Sequence, residues 1–556
     1  MIDLKKVEEY DKFWRELHYL RYPMERSRMG LFRKASVIKK KTTKLPDAEE
    51  KIYDVIVGGG GPSGTLFASM LAQKGHSVLL VEKNAKHECG STWNLSRSEF
   101  DDLKSTEVLS DKQFEELIAG EFMQGVFRLW DDTIKDQKEM QIFDLLNLSM
   151  NEDKYFELLT EKPNLNVELP RLELRLGTRA ALKCITKEYA FVELTEGNNS
   201  KFYKTRLFLD ATGWTSLLAR TVNYGRVVES WYNMIGIHSE KKIKFEKDKD
   251  GKPVGLICMT YENEIKTRAG MVQPILERFT DFDKNKQGYK GDVIYYFTRT
   301  SKPVPLAPMF EDMEKKINQI LPGYDSSQVD KTYYGHAAGY YQPGFFASRF
   351  NQLSAGDRTL MVGVAAQQYS GLTGCGFGCL ARNAGNICGS IDKALKNDNL
   401  SFKVLQKIDI DPRERASQSI TDLYAGSMEL DPYEEPGTVN RDWNSFLDIG
   451  RNLDLQTKAD VFKDKIRFKT LNQMIMMSAR NMSVIDSLFR NNHGNANLVV
   501  TAFVKGYLRL LYLELQCLLK RRKRKYLIAG VLGFCAFPYY LLHVLRFFIK
   551  SRNVGK

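Results

Sequence analysis

Three glycines spaced as Gly59-x-Gly61-x-x-Gly64 stand between an apolar run and a segment of helical periodicity. A carboxylate, Glu82, closes a second apolar run 23 positions after Gly59. These residue types at this spacing are suited to holding a nucleotide. Gly59 permits a tight turn, Gly61 lets the backbone approach a pyrophosphate, and Gly64 lets the following helix pack closely on the preceding strand. Pro62 and Ser63, within the same loop, are read with these glycines as cofactor contacts. Glu82, followed by Lys83, is placed to accept hydrogen bonds from a ribose diol. The elements that must position them are all present between residues 52 and 83 (IYDVIVGGGGPSGTLFASMLAQKGHSVLLVEK): strand, glycine turn, helix and second strand. A glycine-rich turn in an unrelated α/β fold is the alternative, and the acid at the end of the second strand argues against it.

Pro62 directly after Gly61 resembles the FAD version of this fingerprint more than the NAD version. Two later segments point the same way. Residues 206–213 (RLFLDATG), carrying Asp210 and Gly213, look like the strand and turn with which FAD enzymes of the glutathione-reductase type return to the nucleotide. Residues 358–378 (RTLMVGVAAQQYSGLTGCGFG), carrying Gly363 and Gly376, lead into a helix expected over 379–396. Backbone N–H groups at such a helix start can face the flavin's oxygens. A core strand–turn–helix is the alternative for either segment taken alone.

Several stretches resemble the bacterial-type lycopene cyclases and their lycopene-cyclase-like paralogues, within a wider set that includes geranylgeranyl reductases, flavin halogenases and aromatic hydroxylases. Residues 93–100 (WNLSRSEF) look like that family's WNISRxEL. The Gly374-x-Gly376-Phe377-Gly378 spacing followed by Leu380-Ala381-Arg382 looks like its GGFGxLxR. Residues 129–159, 295–315 and 334–346 carry further likeness, so the resemblance covers roughly 51–396. It implies a cofactor, FAD, and cyclisation of a linear polyene with no net redox change. It also implies an acid, raised in pKa by burial, that protonates a terminal double bond. Which carboxylate that is cannot be read from the residues, and the catalytic group is unassigned. Arg97 is expected to reach the flavin or its phosphates, with a surface salt bridge as the alternative. Two positions depart from the family pattern: Val364 follows Gly363 where an Asp is usual, and Gly371 stands where a proline is usual beside the flavin.

Trp214 beside Gly213 is either a stacking group or a core aromatic. His336 reads as structural, and the cluster Glu429, Asp431, Glu434 and Glu435 reads as a solvated turn. The eight cysteines include no CxxC pair, which argues against a zinc ribbon or disulfide scaffold and for a reducing compartment, cytoplasmic or equivalent. No metal is expected.

The expected fold is α/β. A Rossmann-like FAD/NAD(P)-binding domain is assembled discontinuously from 50–105, 165–225 and 350–396. A mixed-sheet substrate domain comes from 106–164 and 226–349, and a helical region follows over 400–515. Residues 1–49 read as a basic arm. Residues 520–556 read as a basic–apolar membrane anchor, because six cations (Lys520 to Lys525) precede an apolar run from Tyr526 to Leu545 of about the length that crosses a bilayer. The chain's formal charge of +13 first suggests nucleic acid. Residues 1–45 hold +7 and residues 515–556 hold +10, however, leaving the body at −4, so membrane lipid is the better partner and no nucleic acid is expected. Three functions remain open at this stage. The first is a membrane-associated flavoprotein acting on an apolar isoprenoid or polyene. The second is a monooxygenase, halogenase or prenyl reductase that would consume NAD(P)H; the halogenase version lacks its WxWxIP signature. The third is a non-catalytic membrane-bound paralogue.

Overall fold

The computed structural model describes residues 4–19, 45–87, 93–121, 124–131, 133–161, 172–213, 216–222, 227–239, 254–260, 265–267, 270–272, 275–283, 288–300, 304–320, 327, 329–341, 354–368, 375–424, 438–480, 507–514 and 516. The first strand, Ala48–Gly58, pairs in parallel with Val78–Val81 on one side and with Asn199–Asp210 on the other. Leu172–Arg175 and Thr359–Met361 extend the parallel run outward on either side, and Ala355–Gly356 closes one edge. Gly58 lies level with both Val81 and Asp210, so three strands end together. Ligands of open α/β sheets bind in the crevice beyond such strand ends.

Both faces of these strands are buried, which is why they read as unbroken apolar runs. Val55, Val57, Leu80, Leu207 and Leu209 turn toward the helices Pro62–Gln73 and Gly376–Lys396, where Phe67, Leu71, Ile387 and Ile391 fill the core. The alternate residues Ile56, Leu79, Val81 and Phe208 turn the other way, against the antiparallel meander Thr178–Ile185 and Ala190–Glu196. A residue pattern of period two thus produces three layers: helices, parallel sheet, meander.

At the sheet edge, Glu173 gathers three donors: Lys51 Nζ, Tyr53 Oη and Arg175 Nη2, each at 2.6 Å. Burial alone would raise its pKa, but these bonds outweigh burial and hold the carboxyl at about 2, below its ordinary 4.5. The folded group titrates below the unfolded one. Its contribution to stability is therefore complete above about pH 4.5 and is lost as pH falls toward 2. Glu173→Gln is expected to lower the melting temperature at neutral pH, with the difference from wild type closing over that acid window. A difference that stays constant down to pH 2 would show that Glu173 is not the group responsible.

A second, seven-stranded sheet runs Val329–Tyr341, Val227–Ser239, Gly288–Thr300, Ile275–Asp283, Val254–Met259, Gln124–Asp131, Asp136–Phe143. It is antiparallel except where Val254–Met259 meets Gln124–Asp131. One face, with Ile235, Ile237, Ile294 and Tyr296, packs on the helix Leu306–Ile320 through Met309, Phe310, Met313 and Ile317. The N-terminal helix Leu4–Tyr19 joins this core. Val7 is buried, Tyr10 meets Tyr334 edge-on at 5.3 Å, and the Asp11 carboxylate accepts from the N–H of Leu306 (2.7 Å) and Ala307 (3.2 Å). Asp11 thereby caps a helix about three hundred positions away in sequence. The segment expected as a basic arm is divided accordingly. Residues 4–19 belong to the second core, because Val7, Tyr10 and Asp11 share one helical face, while 20–44 lie outside the described residues.

The region after the long helix is helical where described: Pro412–Tyr424, Thr438–Arg451, Leu455–Phe462, Phe468–Arg480 and residues 507–514. The expected anchor at 520–556 lies outside the described residues. Among those described, no helix is long and apolar enough to cross a membrane.

Candidate cofactor site

The glycine loop is determined by contacts at its own backbone. Gly59 has φ +102°, and a Cβ there would stand 2.6 Å from the Ala211 carbonyl oxygen. A Cβ on Gly64 would overlap the Gly59 carbonyl, so strand end and helix start can come together only without side chains. Gly61 differs: it is the N-cap of Pro62–Gln73, and nothing lies within 4 Å of where its Cβ would be. Pro62 at the first helical position needs no N–H partner. The amides of Ser63 and Gly64 have no acceptor within the helix. A helix start with free amides beside an open backbone position fits a pyrophosphate.

Glu82 is buried, and its two oxygens accept from the N–H of Gly60 (2.8 Å) and of Asn84 (2.9 Å). Its carboxylate is thus fixed beside the loop. Lys83 is exposed. Asp210 closes its strand as a fully buried carboxylate. It takes hydrogen bonds from Thr212 N (2.9 Å), Thr212 Oγ1 (2.6 Å) and Ser216 Oγ (2.7 Å), while burial pushes its pKa up against them. These bonds hold the Ala211–Gly213 turn, with Gly213 at φ +65°, against Gly59. Asp210 is therefore a brace for the loop.

The third turn returns to the same place. Gly363, at φ +61°, leaves room for Ser63, whose Oγ a Cβ would overlap. Gly363 N donates to Gln368 Oε1 (2.7 Å), Gln368 Nε2 to Asp409 (3.2 Å), and Arg415 secures both Asp409 (2.6 Å) and the Gln367 carbonyl (2.8 Å). Burial raises the Asp409 pKa, but the Arg415 guanidinium outweighs it and brings it below the ordinary value. Val364 lies 3.9 Å from the position a Cβ on Gly213 would take. Gly371 and Trp214 lie outside the described residues.

Gly376 begins the long helix, with Cys375 as N-cap. Two motifs distant in the sequence meet there. Ser96 caps the helix Arg97–Lys104 in a reciprocal box with Glu99. Glu99 then pairs with Arg382 on the long helix, and Arg382 with Glu414; all three are nearly fully buried. A Cβ on Gly378 would overlap the Glu99 carboxylate. The WNLSR and GFGCLAR stretches are thus two halves of one buried ion network. Asn383 donates to Glu414 at 2.8 Å, and the buried Lys463 ties Asp144 (2.6 Å) to Ser98 (3.0 Å) nearby. Trp93 stacks on Phe377 at 5.0 Å and meets Tyr155 and Phe156 edge-on, and Tyr155 Oη donates to the Pro62 carbonyl at 2.9 Å. The starts of the two helices are joined through this aromatic group.

Gly59, Gly61, Pro62, Ser63, Gly64, Glu82, Asp210, Gly213 and Gly363 are therefore brought together at the strand ends, and Gly376 is linked to them by Phe377, Trp93 and Tyr155. Arg97 is placed differently. Its partners are Glu121, with Nε at 3.2 Å, and the Phe100 ring. Sequence reasoning overlooked Glu99 and Glu414 and the roles of Tyr155 and Phe156. Only Glu99 had a local signal, the Ser-x-x-Glu spacing of a capping box.

Residues 54–225 match the family model described as FAD dependent oxidoreductase. No curated protein matches the chain in sequence. Among solved structures, a geranylgeranyl bacteriochlorophyll reductase-like protein from Thermoplasma acidophilum is similar, with a TM-score of 0.52 at 14% identity over 79% of this chain and 99% of the other. The p-nitrophenol 4-monooxygenase PnpA from Pseudomonas putida gives 0.52 at 15% identity over 76% and 98%. A mutant of the halogenase PltM in complex with FAD gives 0.50 at 12% over 82% and 96%. Such identities establish a shared fold, and the family match over residues 54–225, together with that fold, gives FAD as the cofactor.

Proposed function

We propose that the protein is a membrane-associated FAD-dependent enzyme acting on an apolar isoprenoid or polyene, and that its reaction is a lycopene-cyclase-like cyclisation with no net redox change. The observation that carries this reading is the second face of the seven-stranded sheet. Phe127, Leu129, Met140, Ile142, Tyr295 and Phe297 form an apolar surface that continues to Cys375, at the start of the long helix. The C-terminal helices cover it: Trp443 and Leu447 are buried against it, and Phe462 lies 4.6 Å from Phe127 with its carbonyl accepting from Cys375 Sγ at 3.2 Å.

Bound FAD supplies an electron-rich ring when reduced. The chain's own contribution is different. The two helix starts hold the cofactor's phosphates and ring oxygens, and the covered apolar face excludes water beside the start of the long helix. Glu99, although buried beside Gly378, is engaged by Ser96 and Arg382 and acts as a strut, so the proton donor is another group. The fold shared with a geranylgeranyl bacteriochlorophyll reductase-like protein supports a second reading, a redox reaction on the same class of substrate with NAD(P)H as reductant.

The experiment is incubation of the FAD-reconstituted, reduced protein with lycopene in lipid vesicles. A product of unchanged mass and shifted absorption is expected. A product that has gained hydrogen, oxygen or halogen would replace cyclisation by the second reading. In the same vesicles the full chain should co-sediment and a chain ending before Lys520 should not; equal sedimentation would remove the tail as the membrane contact.

A further inference from the structure

One imidazole at the glycine loop has a role that the fingerprint does not assign. His87 follows the second strand by six positions and folds back over the loop. Its ring lies flat on Phe156, with centroids 4.4 Å apart and planes 7° from parallel, and its Cε1 stands 3.1 Å from where a Cβ on Gly60 would be. Nδ1 is 2.9 Å from the Gly60 carbonyl oxygen, which can only accept. Nδ1 therefore carries the proton, and in the neutral ring Nε2 is left as an acceptor. That Nε2 is shielded from solvent and has no hydrogen-bond partner. A buried polar atom without a partner is rare in native proteins and costs stability wherever it occurs. Its neighbour Glu82 has an oxygen on each of two backbone N–H groups, so the carboxylate is held in place and does not turn toward Nε2.

We propose that His87 is a cofactor-binding residue: Nε2 accepts a hydrogen bond from the adenosine half of FAD, from a ribose hydroxyl or the exocyclic amine, beside Glu82. The Phe156 stack and the Gly60 bond hold the ring in one orientation, so little rotamer freedom is lost when the contact forms. This rests on FAD as the cofactor and is independent of the reaction proposed above.

Two measurements test it. Apoprotein is titrated with FAD and, separately, with ADP, for wild type and for His87→Phe, which keeps the stack on Phe156 and removes both nitrogens. The expected result is a rise in dissociation constant of about tenfold, the size of one good hydrogen bond, and of the same factor for both ligands. Unchanged affinities would overturn the proposal. A loss for FAD with none for ADP would overturn it as well, because the contact would then lie in the flavin half. The wild-type protein, labelled with ¹⁵N-histidine, gives a readout that does not depend on the variant folding. The His87 Nε2 resonance should move on addition of ADP, and a stationary resonance at saturating ADP rejects the assignment. Binding of FAD to wild type with none of these effects is a failure of His87 alone and leaves FAD as the cofactor.

Discussion

Gly64→Ala is expected to abolish the folded nucleotide-binding unit, whereas Gly61→Val is expected to leave the fold in place and remove the cofactor. At position 64 a methyl group would overlap the Gly59 carbonyl, a backbone atom held by the first strand and unable to swing aside. Relief requires separating the helix Pro62–Gln73 from the sheet, against a core that includes Leu66, Phe67 and Leu71. The cost is about 4 kcal/mol or more, in the range reserved for disrupted cores and strained backbone. At position 61 a side chain meets nothing within 4 Å, and the residue's backbone is extended, so the apoprotein tolerates valine. The loss there is about 1 kcal/mol, that of a poorer N-cap. The same side chain occupies the space through which a pyrophosphate approaches the amides, and FAD affinity should fall by about a hundredfold or more. Thermal melting of the apoproteins and quenching of FAD fluorescence separate the two effects. If Gly61→Val binds FAD as wild type does, the pyrophosphate lies elsewhere.

Arg382→Met should be nearly as damaging, for an electrostatic reason. The guanidinium stands between Glu99 and Glu414, all three closed off from solvent. Its removal takes the paired counter-charge from two buried carboxylates, and breaking a buried pair in this way costs about 3–5 kcal/mol. The urea midpoint should fall accordingly. Adding Glu99→Gln and Glu414→Gln to Arg382→Met should recover more than half of the loss, since the uncompensated charges are then gone. A single variant with an unchanged midpoint would mean that the ion network is not formed in solution.

The parts of the site that could be read in the sequence share a physical property: their causes are local. The positive φ of Gly59 and the contact of Gly64 with the Gly59 carbonyl arise within six residues, and the unbroken apolar runs DVIVG and VLLV mark strands buried on both faces. The α/β class and the FAD cofactor follow from that local order. Asp210 was legible as a strand-end residue, but its work as a brace depends on Thr212 and Ser216 and on how the Ala211 turn meets Gly59. The alternative weighed for Arg97, a salt bridge, is the arrangement found, because Glu121 lies within reach across 24 positions. The helix Leu4–Tyr19, itself balanced in charge, was read together with the basic stretch that follows it. Its attachment rests on three side chains of one face and on the amides of Leu306 and Ala307.

The sequence by itself determined the order of strand, glycine turn, helix and second strand over residues 52–83, and where the charge resides, in the two ends and not in the body. Only the tertiary structure decided that WNLSR and GFGCLAR are one network, that the Phe127–Phe297 face continues to the start of the long helix, and that His87 lies on the glycine loop. The reason is the same in each case. Glu99 and Arg382 are 283 positions apart, and a buried ion pair or aromatic stack is set by the three-dimensional meeting of surfaces, which leaves no periodic trace along the chain.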